Sequence, residues 1–470
     1  MSQATQLPPI TRDIDLTPDQ RSQTRKSVAG SAVGNAIEWF DYGVYGYLVV
    51  YIAPLFFDFG GDPDSAWPRI LALATFAISF LVRPLGGIIL GPLGDRVGRR
   101  AVLMFTIALI TLSTAAISLL PTYEMAGMWA PILLVLLRMV QGFSAGGEYA
   151  GAAVFMAEHA PDNKRGFYGS FLEFGTLVGF SAAAIVCTGL TLAVGEQAMM
   201  DGWWRLPFAL TLPLGLVALW MRRHVEEPEV FTDQIALQGA PSATGALRRL
   251  LRDYPAQIFK LIGFVILINV AFYLVLTYMP SYLSVTLGHG AVESTFSLVI
   301  IQLVMVAVIV PFGALSDRIG RKPLLIAASL GFIFLSVPAV MLIQIDSIWT
   351  QLAGIGMLGL FLVMIISNIS ATLPALFPTA VRYSGFAIGY NISTALFGGT
   401  AGAMNEYLIE VTGNVLVPGW YLVGAGIIGL ISVLTFKETA GRSLRGNVIP
   451  GEDDAERRAA GEVLIGGKRS

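Results

Sequence analysis

Long apolar stretches separated by short polar ones recur along the whole chain. Twelve of them predict helical spans, at about 28–57, 68–91, 102–121, 129–157, 166–194, 204–221, 259–286, 294–315, 323–343, 349–376, 383–411 and 418–436. Crossing a bilayer as a helix takes about 20 apolar residues. The runs are continuous and lack the short in–out alternation of barrel strands, so an all-α membrane protein is expected. A polar, basic stretch at 222–258 separates two sets of six spans, 28–221 and 259–437. A polar segment at 1–27 and a short tail at 438–470 flank them.

Composition agrees with the pattern. Of 470 residues, 55% are apolar and 13% charged, against about 25% charged in soluble domains. That balance excludes an ordinary cytosolic enzyme, a disordered chain and a nucleic-acid binder, and makes the lipid bilayer the main partner. One cysteine, Cys187, rules out an internal disulfide framework and most metal clusters. No cofactor or obligate protein partner is expected. The N-terminal segment lacks the apolar core of a cleavable signal. Basic residues fix the orientation. Arg25, Lys26, Arg96, Arg99, Arg100, Lys164, Arg165, Arg222, Arg223, Arg318, Arg321, Lys322, Arg382 and Lys437 fall in alternate loops, whereas the other loops keep only Arg69 and Arg205. Positive-inside bias then places both termini in the cytoplasm.

The halves repeat one motif. Gly91-Pro-Leu-Gly-Asp95-Arg96-Val-Gly98-Arg99-Arg100-Ala-Val-Leu103 recurs as Gly313-Ala-Leu-Ser-Asp317-Arg318-Ile-Gly320-Arg321-Lys322-Pro-Leu-Leu325, identical at seven of thirteen positions and displaced by 222 residues. Pro161–Arg165 and Pro378–Arg382 echo each other with the same spacing. Charge bias alone accounts for the arginines but not for the shared Gly, Leu and Asp frame. The repeat implies two pseudo-symmetric bundles related by an axis along the membrane normal. The loop resembles the signature between the second and third helices of the major facilitator superfamily. Its glycines suit a tight turn and close helix approach. Asp95 and Asp317 suit capping a helix end or pairing with a basic group, forming a cytoplasmic latch that breaks as the carrier opens inward.

Ionisable groups inside spans are costly and mark candidate function. The first span carries Asn35, Glu38, Trp39, Asp41, Tyr42 and Tyr45. Helical spacing puts Asn35, Glu38, Tyr42 and Tyr45 in one stripe, with Asp41 beside Glu38. Crowded, desolvated carboxyls suit a proton carrier; permanent neutralisation by buried arginines is the alternative. Arg83 in the second span is a charge partner. Arg138, Gln141 and Glu148 share a face of the fourth span, where Glu148 is a further proton-coupling candidate beside Glu38 and Asp41, and Arg138 pairs with a first-span carboxylate or anchors a substrate carboxylate. Gly142, Gly146, Gly147 and Gly151 read as helix-packing glycines. Glu173, Asn269, Gln302, Asn368, Asn391 and Asn405 read singly as interhelical hydrogen bonding. Trp39, Tyr42, Tyr45, Trp203 and Trp204 offer faces for a quaternary ammonium, Tyr42 and Tyr45 foremost.

Other signals fall away. The G-x-G-x-x-G patterns at 354–359 and 424–429 lie inside apolar spans with no preceding strand, so they are packing glycines. There is no Walker A motif, no nucleophile–base constellation and no clustered histidine. Neither an ATP-driven pump nor an enzyme is indicated.

The segments Gly34–Gly46, Arg83-Pro-Leu-Gly-Gly, Arg138–Tyr149 and Lys164-Arg-Gly-Phe together resemble the metabolite:proton symporter family of that superfamily, over about 28–445. Thr277–Ser284, Thr372–Thr379 and Arg382-Tyr-Ser most resemble its proline/betaine transporter branch. The resemblance implies a bacterial plasma-membrane carrier that takes up zwitterionic osmoprotectants (proline, glycine betaine, ectoine) with protons. It maps the proton- and substrate-linked stripe onto Asn35, Glu38, Tyr42 and Tyr45, with Tyr42 standing where the family has Phe. It does not carry over osmotic tuning by a long coiled-coil tail, since nothing after Gly446 keeps heptads. A dicarboxylate such as 2-oxoglutarate, or citrate, would prefer two basic groups, so Arg83 and Arg138 leave organic-acid symport open. A non-transporting membrane sensor would bring a sizeable soluble domain, and none is visible.

Overall fold

The computed structural model describes residues 12–60, 65–97, 99–146, 148–223, 250–445 and 448–452. The side chains of residues 91–103 and 148 lie outside that description, and so do most of the central linker and the stretch 453–470. Among the described residues, helices and broken helices fall at the positions of the twelve expected spans, in the expected order. The N-terminal half holds α1 (Pro18–Phe57), α2 (Trp67–Val97), α3 (Arg99–Ile117), α4 (Trp129–Ala145, then Glu148–His159), α5 (Arg165–Val194) and α6 (Arg205–Ala209, then Thr211–Arg223). The second half holds α7 (Pro255–Thr286), α8 (Ala291–Ile319), α9 (Arg321–Ile343), α10 (Ile348–Thr372), α11 (Arg382–Phe397, then Thr400–Thr412) and α12 (Val417–Leu434). Among the described residues, nine helices, or ten with one pair bent by 51°, are long and apolar enough to cross a membrane unaided. α3, described with side chains only over Met104–Ile117, and α11, interrupted at Gly398 and Gly399, are shorter than that length.

Local sequence explains the ends. α1 starts at Pro18 rather than at 28 because Thr17 and Gln20 form a capping box. Thr17 Oγ1 accepts from Gln20 N at 3.3 Å, and Thr17 N donates to Gln20 Oε1 at 2.9 Å. The chain turns from α8 into α9 at Gly320, whose φ of +97° only glycine adopts readily. α2 and α4 touch backbone to backbone. A Cβ on Gly142 would stand 1.8 Å from the Ser79 carbonyl oxygen, and one on Gly146 2.1 Å from that of Arg83. Five of the six glycines in the two triplets inside α10 and α12 likewise face neighbouring helices, Gly354 against the Ala339 carbonyl and Gly429 against Leu267, whereas Gly424 has nothing within 4 Å. Large apolar side chains such as Ile88, Phe334 and Trp349 are exposed on the outer faces, as lipid-facing positions should be.

The halves meet along a seam where α5 lies against α8 and α2 against α11. Both ends of the seam are closed. At the arginine-rich end, Asp317 accepts from the amides of Gly166 and Phe167 at 2.8 Å each. Arg382 reaches Glu158 at 2.8 Å. At the opposite end Arg69 pairs with Glu406 at 2.9 Å, and Gln302 donates to the Tyr47 hydroxyl.

The chain after α12, expected as a short polar tail, is largely buried from Thr439 to Leu444. Glu438 accepts from the amides of Arg321 and Lys322 and so caps the start of α9. Arg165 of the first half donates to the Arg442 carbonyl. Leu444 packs on Ala157 and Ala375, one from each half. Charged and carbonyl groups left open at helix ends account for this: the segment satisfies them.

Candidate functional site

The seam holds a small cavity lined by Trp39, Glu173, Ile268, Asn269, Phe272, Tyr273, Ile369 and Tyr390. Its walls thus come from α1, α5, α7, α10 and α11. It encloses about 240 Å3 between atoms, open volume included, with room at its core for about one water.

Aromatic rings dominate it. Trp39 meets Phe272 edge-on at 5.2 Å and Tyr42 at 5.4 Å. Tyr273 packs across the seam on Phe80 at 5.0 Å and Phe76 at 5.9 Å. Tyr390 stacks on Tyr149 at 4.6 Å. α7 loosens into π-helical turns directly after Tyr273, at Leu274–Tyr278, a local device that re-aims side chains at functional sites.

Of the stripe expected on α1, the structure brings Trp39, Glu38 and Tyr42 to the seam. The charge of Glu38 acts on Arg83, Tyr42, Tyr273 and Tyr390. The guanidinium of Arg83 lies over the rings of Phe80, at 4.4 Å, and Tyr42, at 5.0 Å. Arg83 is 2% exposed, yet its Nε and Nη2 have no hydrogen-bond partner among the described residues.

The other stripe members go elsewhere. Asn35 is spent on packing: its amide donates to the Leu172 carbonyl and Thr176 Oγ1, and its oxygen accepts from Trp39 Nε1 at 3.0 Å. It therefore orients Trp39. Tyr45 sits inside the first bundle, with its hydroxyl on the Ala72 carbonyl and its ring under Arg138 at 4.1 Å. Asp41 is not paired with Glu38. It turns inward to Gln141 Nε2, at 3.2 Å, whose Oε1 accepts from Arg138 Nη1 at 2.9 Å. Arg138 is thus enclosed by Tyr45, Phe76 and Tyr42 and answered by Asp41. It borders no part of the cavity. The helical period explains the split: residues three apart on α1 differ by about 60° in direction, enough on an interface helix to send one carboxylate to the seam and the other into the bundle.

Trp203 and Trp204 lie far from the cavity, where Trp204 packs on Phe56. The first copy of the repeated loop (Gly91, Asp95, Arg96, Gly98, Arg99, Arg100) and the side chain of Glu148 lie outside the described residues. In the second copy, Arg321 approaches Asp317 at 3.5 Å and donates to the Ala371 and Thr439 carbonyls. Arg318 is exposed and joins no latch contact among the described residues.

Sequence reasoning undervalued Glu173 and missed Phe272, Tyr273, Tyr390 and Tyr149. The signal was available only weakly, as tyrosines deep within otherwise aliphatic spans. Asn269, Gln302 and Asn391 do bond between helices, Asn391 reaching across the seam to the Gly146 carbonyl at 3.1 Å.

Two six-helix bundles around a polar and aromatic cavity, sealed at both ends by contacts between the halves, define a multi-pass membrane transporter of the alternating-access type. The chain belongs to the Major Facilitator Superfamily, whose family model matches residues 32–442. It is 42% identical over 465 residues to the glycine betaine/proline/ectoine/pipecolic acid transporter OusA of Dickeya dadantii, covering 97% of this chain and 91% of that protein. It is 40% identical over 467 residues to the proline/betaine transporter of Escherichia coli K12, with the same coverage of 97% and 91%. The fold matches that of the proton:xylose symporter XylE bound to 6-bromo-6-deoxy-D-glucose, with a TM-score of 0.69 and 19% identity over 90% of this chain and 98% of that one.

Proposed function

We propose that this chain takes up zwitterionic osmolytes, glycine betaine and proline foremost and ectoine with them, in symport with protons. It works from a bacterial plasma membrane with the arginine-rich end and both termini in the cytoplasm. The observation that carries the substrate class is the pairing of one half-satisfied buried guanidinium, Arg83, with a wall of aromatic rings from both halves. A substrate carboxylate suits the open Nε–Nη2 edge of Arg83, which presents two parallel donors. The ammonium suits the faces of Trp39, Phe272, Tyr273 and Tyr390, each such contact contributing about 0.5–2 kcal/mol.

Charge balance favours a zwitterion over a dicarboxylate. Glu38 already answers Arg83, and Asp41 answers Arg138 within the first bundle. A dianion would need two available arginines. Arg83 stands behind the wall, over the Phe80 ring that packs on Tyr273. Arg138, with the same open Nε–Nη2 edge, is enclosed inside the first bundle by Tyr45, Phe76 and Tyr42. In the closed form the cavity is tighter than the solute, so loading requires the rings of α7 and α11 to move with the second half. Glu38 and Tyr42 belong to the substrate site in this reading, Asn35 holds Trp39 in place, and the Asp41–Gln141–Arg138 cluster stiffens the first bundle. Asp317 and its repeat partner Asp95 serve as latches at the cytoplasmic end.

Purified protein in liposomes, offered labelled betaine, proline and 2-oxoglutarate with and without an imposed pH gradient, tests the assignment. Betaine and proline accumulating only with the outside acidic supports it. Accumulation of 2-oxoglutarate in their place refutes it.

A further inference from the structure

Among the described residues, three carboxyl groups lie on or next to the helical turns that wall the cavity: Glu38 and Asp41, flanking Trp39 on α1, and Glu173 on α5. Two of them have a buried arginine for company, Arg83 for Glu38 and Arg138 for Asp41. The third does not. Glu173 is 2% exposed on α5, forms part of the cavity wall, and enters no ion pair among the described residues. Its Oε1 accepts a hydrogen bond from the Tyr149 hydroxyl at 2.5 Å.

The groups facing it come from every neighbouring element. Tyr149 reaches it from α4 and is stacked on Tyr390 of α11. Thr176 lies one turn along its own helix. Trp39 of α1 and Asn269, Phe272 and Tyr273 of α7 share the wall. The nearest charges are indirect: Glu38, Arg83 and Glu173 all act on Tyr390, which therefore lies among them.

We infer that Glu173 is the proton-carrying group of this transporter. An ionised carboxylate with no cation beside it costs several kcal/mol in such surroundings, so the closed form holds Glu173 as the neutral acid. Opening at either end admits water and removes that cost. The O–H bond of the acid then breaks to water on the cytoplasmic side. It re-forms from water on the outer side before the next closure. The empty carrier returns with Arg83, released by the substrate carboxylate, shared between Glu38 and the ionised Glu173. Tyr149 is a positioning residue: it fixes the carboxyl rotamer and ties it to Tyr390, so the proton site and the substrate cage share one stack of rings across the seam.

This rests on the symport reading, and the test separates the two. Wild-type protein and Glu173→Gln are reconstituted with a pH dye inside. Two quantities are read: betaine accumulation under an imposed gradient, and exchange of labelled for unlabelled betaine across a range of pH. For one proton per solute, wild-type accumulation approaches about tenfold per pH unit. Glu173→Gln is expected to fall to about unity, with no substrate-linked proton entry, while exchange persists at a rate that no longer varies with pH. Wild-type accumulation or a wild-type pH profile in the variant overturns the assignment alone. Wild-type vesicles that move betaine without protons, or not at all, overturn both. If Glu173→Gln does not exchange, Glu173→Asp must exchange with a displaced pH midpoint. An undisplaced midpoint, or loss of exchange in well-folded Asp and Gln variants alike, assigns Glu173 to substrate contact and overturns the proton role.

Discussion

The latch at Asp317 permits a worked prediction. Its carboxylate accepts from Gly166 N and Phe167 N, at 2.8 Å each, across the seam. Replacement by Asn keeps one acceptor oxygen but turns an NH2 group toward the other amide. One charge-assisted hydrogen bond is lost, about 1.5–3 kcal/mol, and so is the negative charge at the start of α5, about 0.3–1 kcal/mol. A neutral side chain is easier to desolvate, which offsets part of this. The net loss in the closed state is therefore about 2–3 kcal/mol, a shift toward opening of about 30- to 150-fold. Ser170 reports on it, because it is fully buried where α5 meets Gly313 of α8. In a background with Cys187 replaced, the labelling rate of Ser170→Cys by a membrane-impermeant thiol reagent follows the fraction open at the arginine-rich end. Asp317→Asn is expected to raise that rate by the stated factor, and Arg318→Gln, an exposed neighbour, to leave it alone. An unchanged rate in Asp317→Asn refutes the latch and the alternating-access reading of the seam with it.

Further consequences are equally specific. Arg69→Gln breaks the ion pair with Glu406 at the opposite end, so cysteines placed there should label faster while Ser170→Cys does not. Gly142→Ala drives a methyl group into the Ser79 carbonyl, whereas Gly151→Ala finds its nearest neighbour at 3.8 Å. Overpacking of about 1–3 kcal/mol or more should lower the Tm of the first variant and spare the second. Phe272→Leu, removing one face of the cage, should weaken betaine binding by a few-fold to about 30-fold, measured as Kd. Asp41→Asn leaves Arg138 without its counter-charge and should destabilise the purified protein by about 3–5 kcal/mol. A Tm equal to that of the wild type would contradict the placement of that cluster inside the bundle.

The twelve spans and the two halves were legible because lipid demands long apolar runs and the repeated Gly-x-Leu-x-Asp-Arg-x-Gly frame survives in both copies. The packing role of Gly142 and Gly146 was legible for the same reason, as small residues at a fixed helical interval. Individual directions on α1 were not. Glu38 and Asp41 read as a pair from spacing, yet they face different partners, and of the two roles the sequence offered Arg138 the structure shows the pairing with a first-span carboxylate, Asp41. The second-half wall was hidden because Phe272, Tyr273 and Tyr390 are apolar enough to pass as membrane core. Their role appears only when α7 and α11 are set against α1 and α5. The tail was misjudged for a different reason. Its residues are polar, but their partners, Arg165, Arg321 and Arg382, lie far away in sequence and themselves read as orientation signals.

The central claim, that the solute bridges Arg83 and the rings of both halves, is tested most directly by an experimental structure with glycine betaine bound. The account predicts the carboxylate on the Nε–Nη2 edge of Arg83 and the trimethylammonium among Trp39, Phe272, Tyr273 and Tyr390. A carboxylate bound instead to Arg138, or density lying wholly within one bundle, contradicts it.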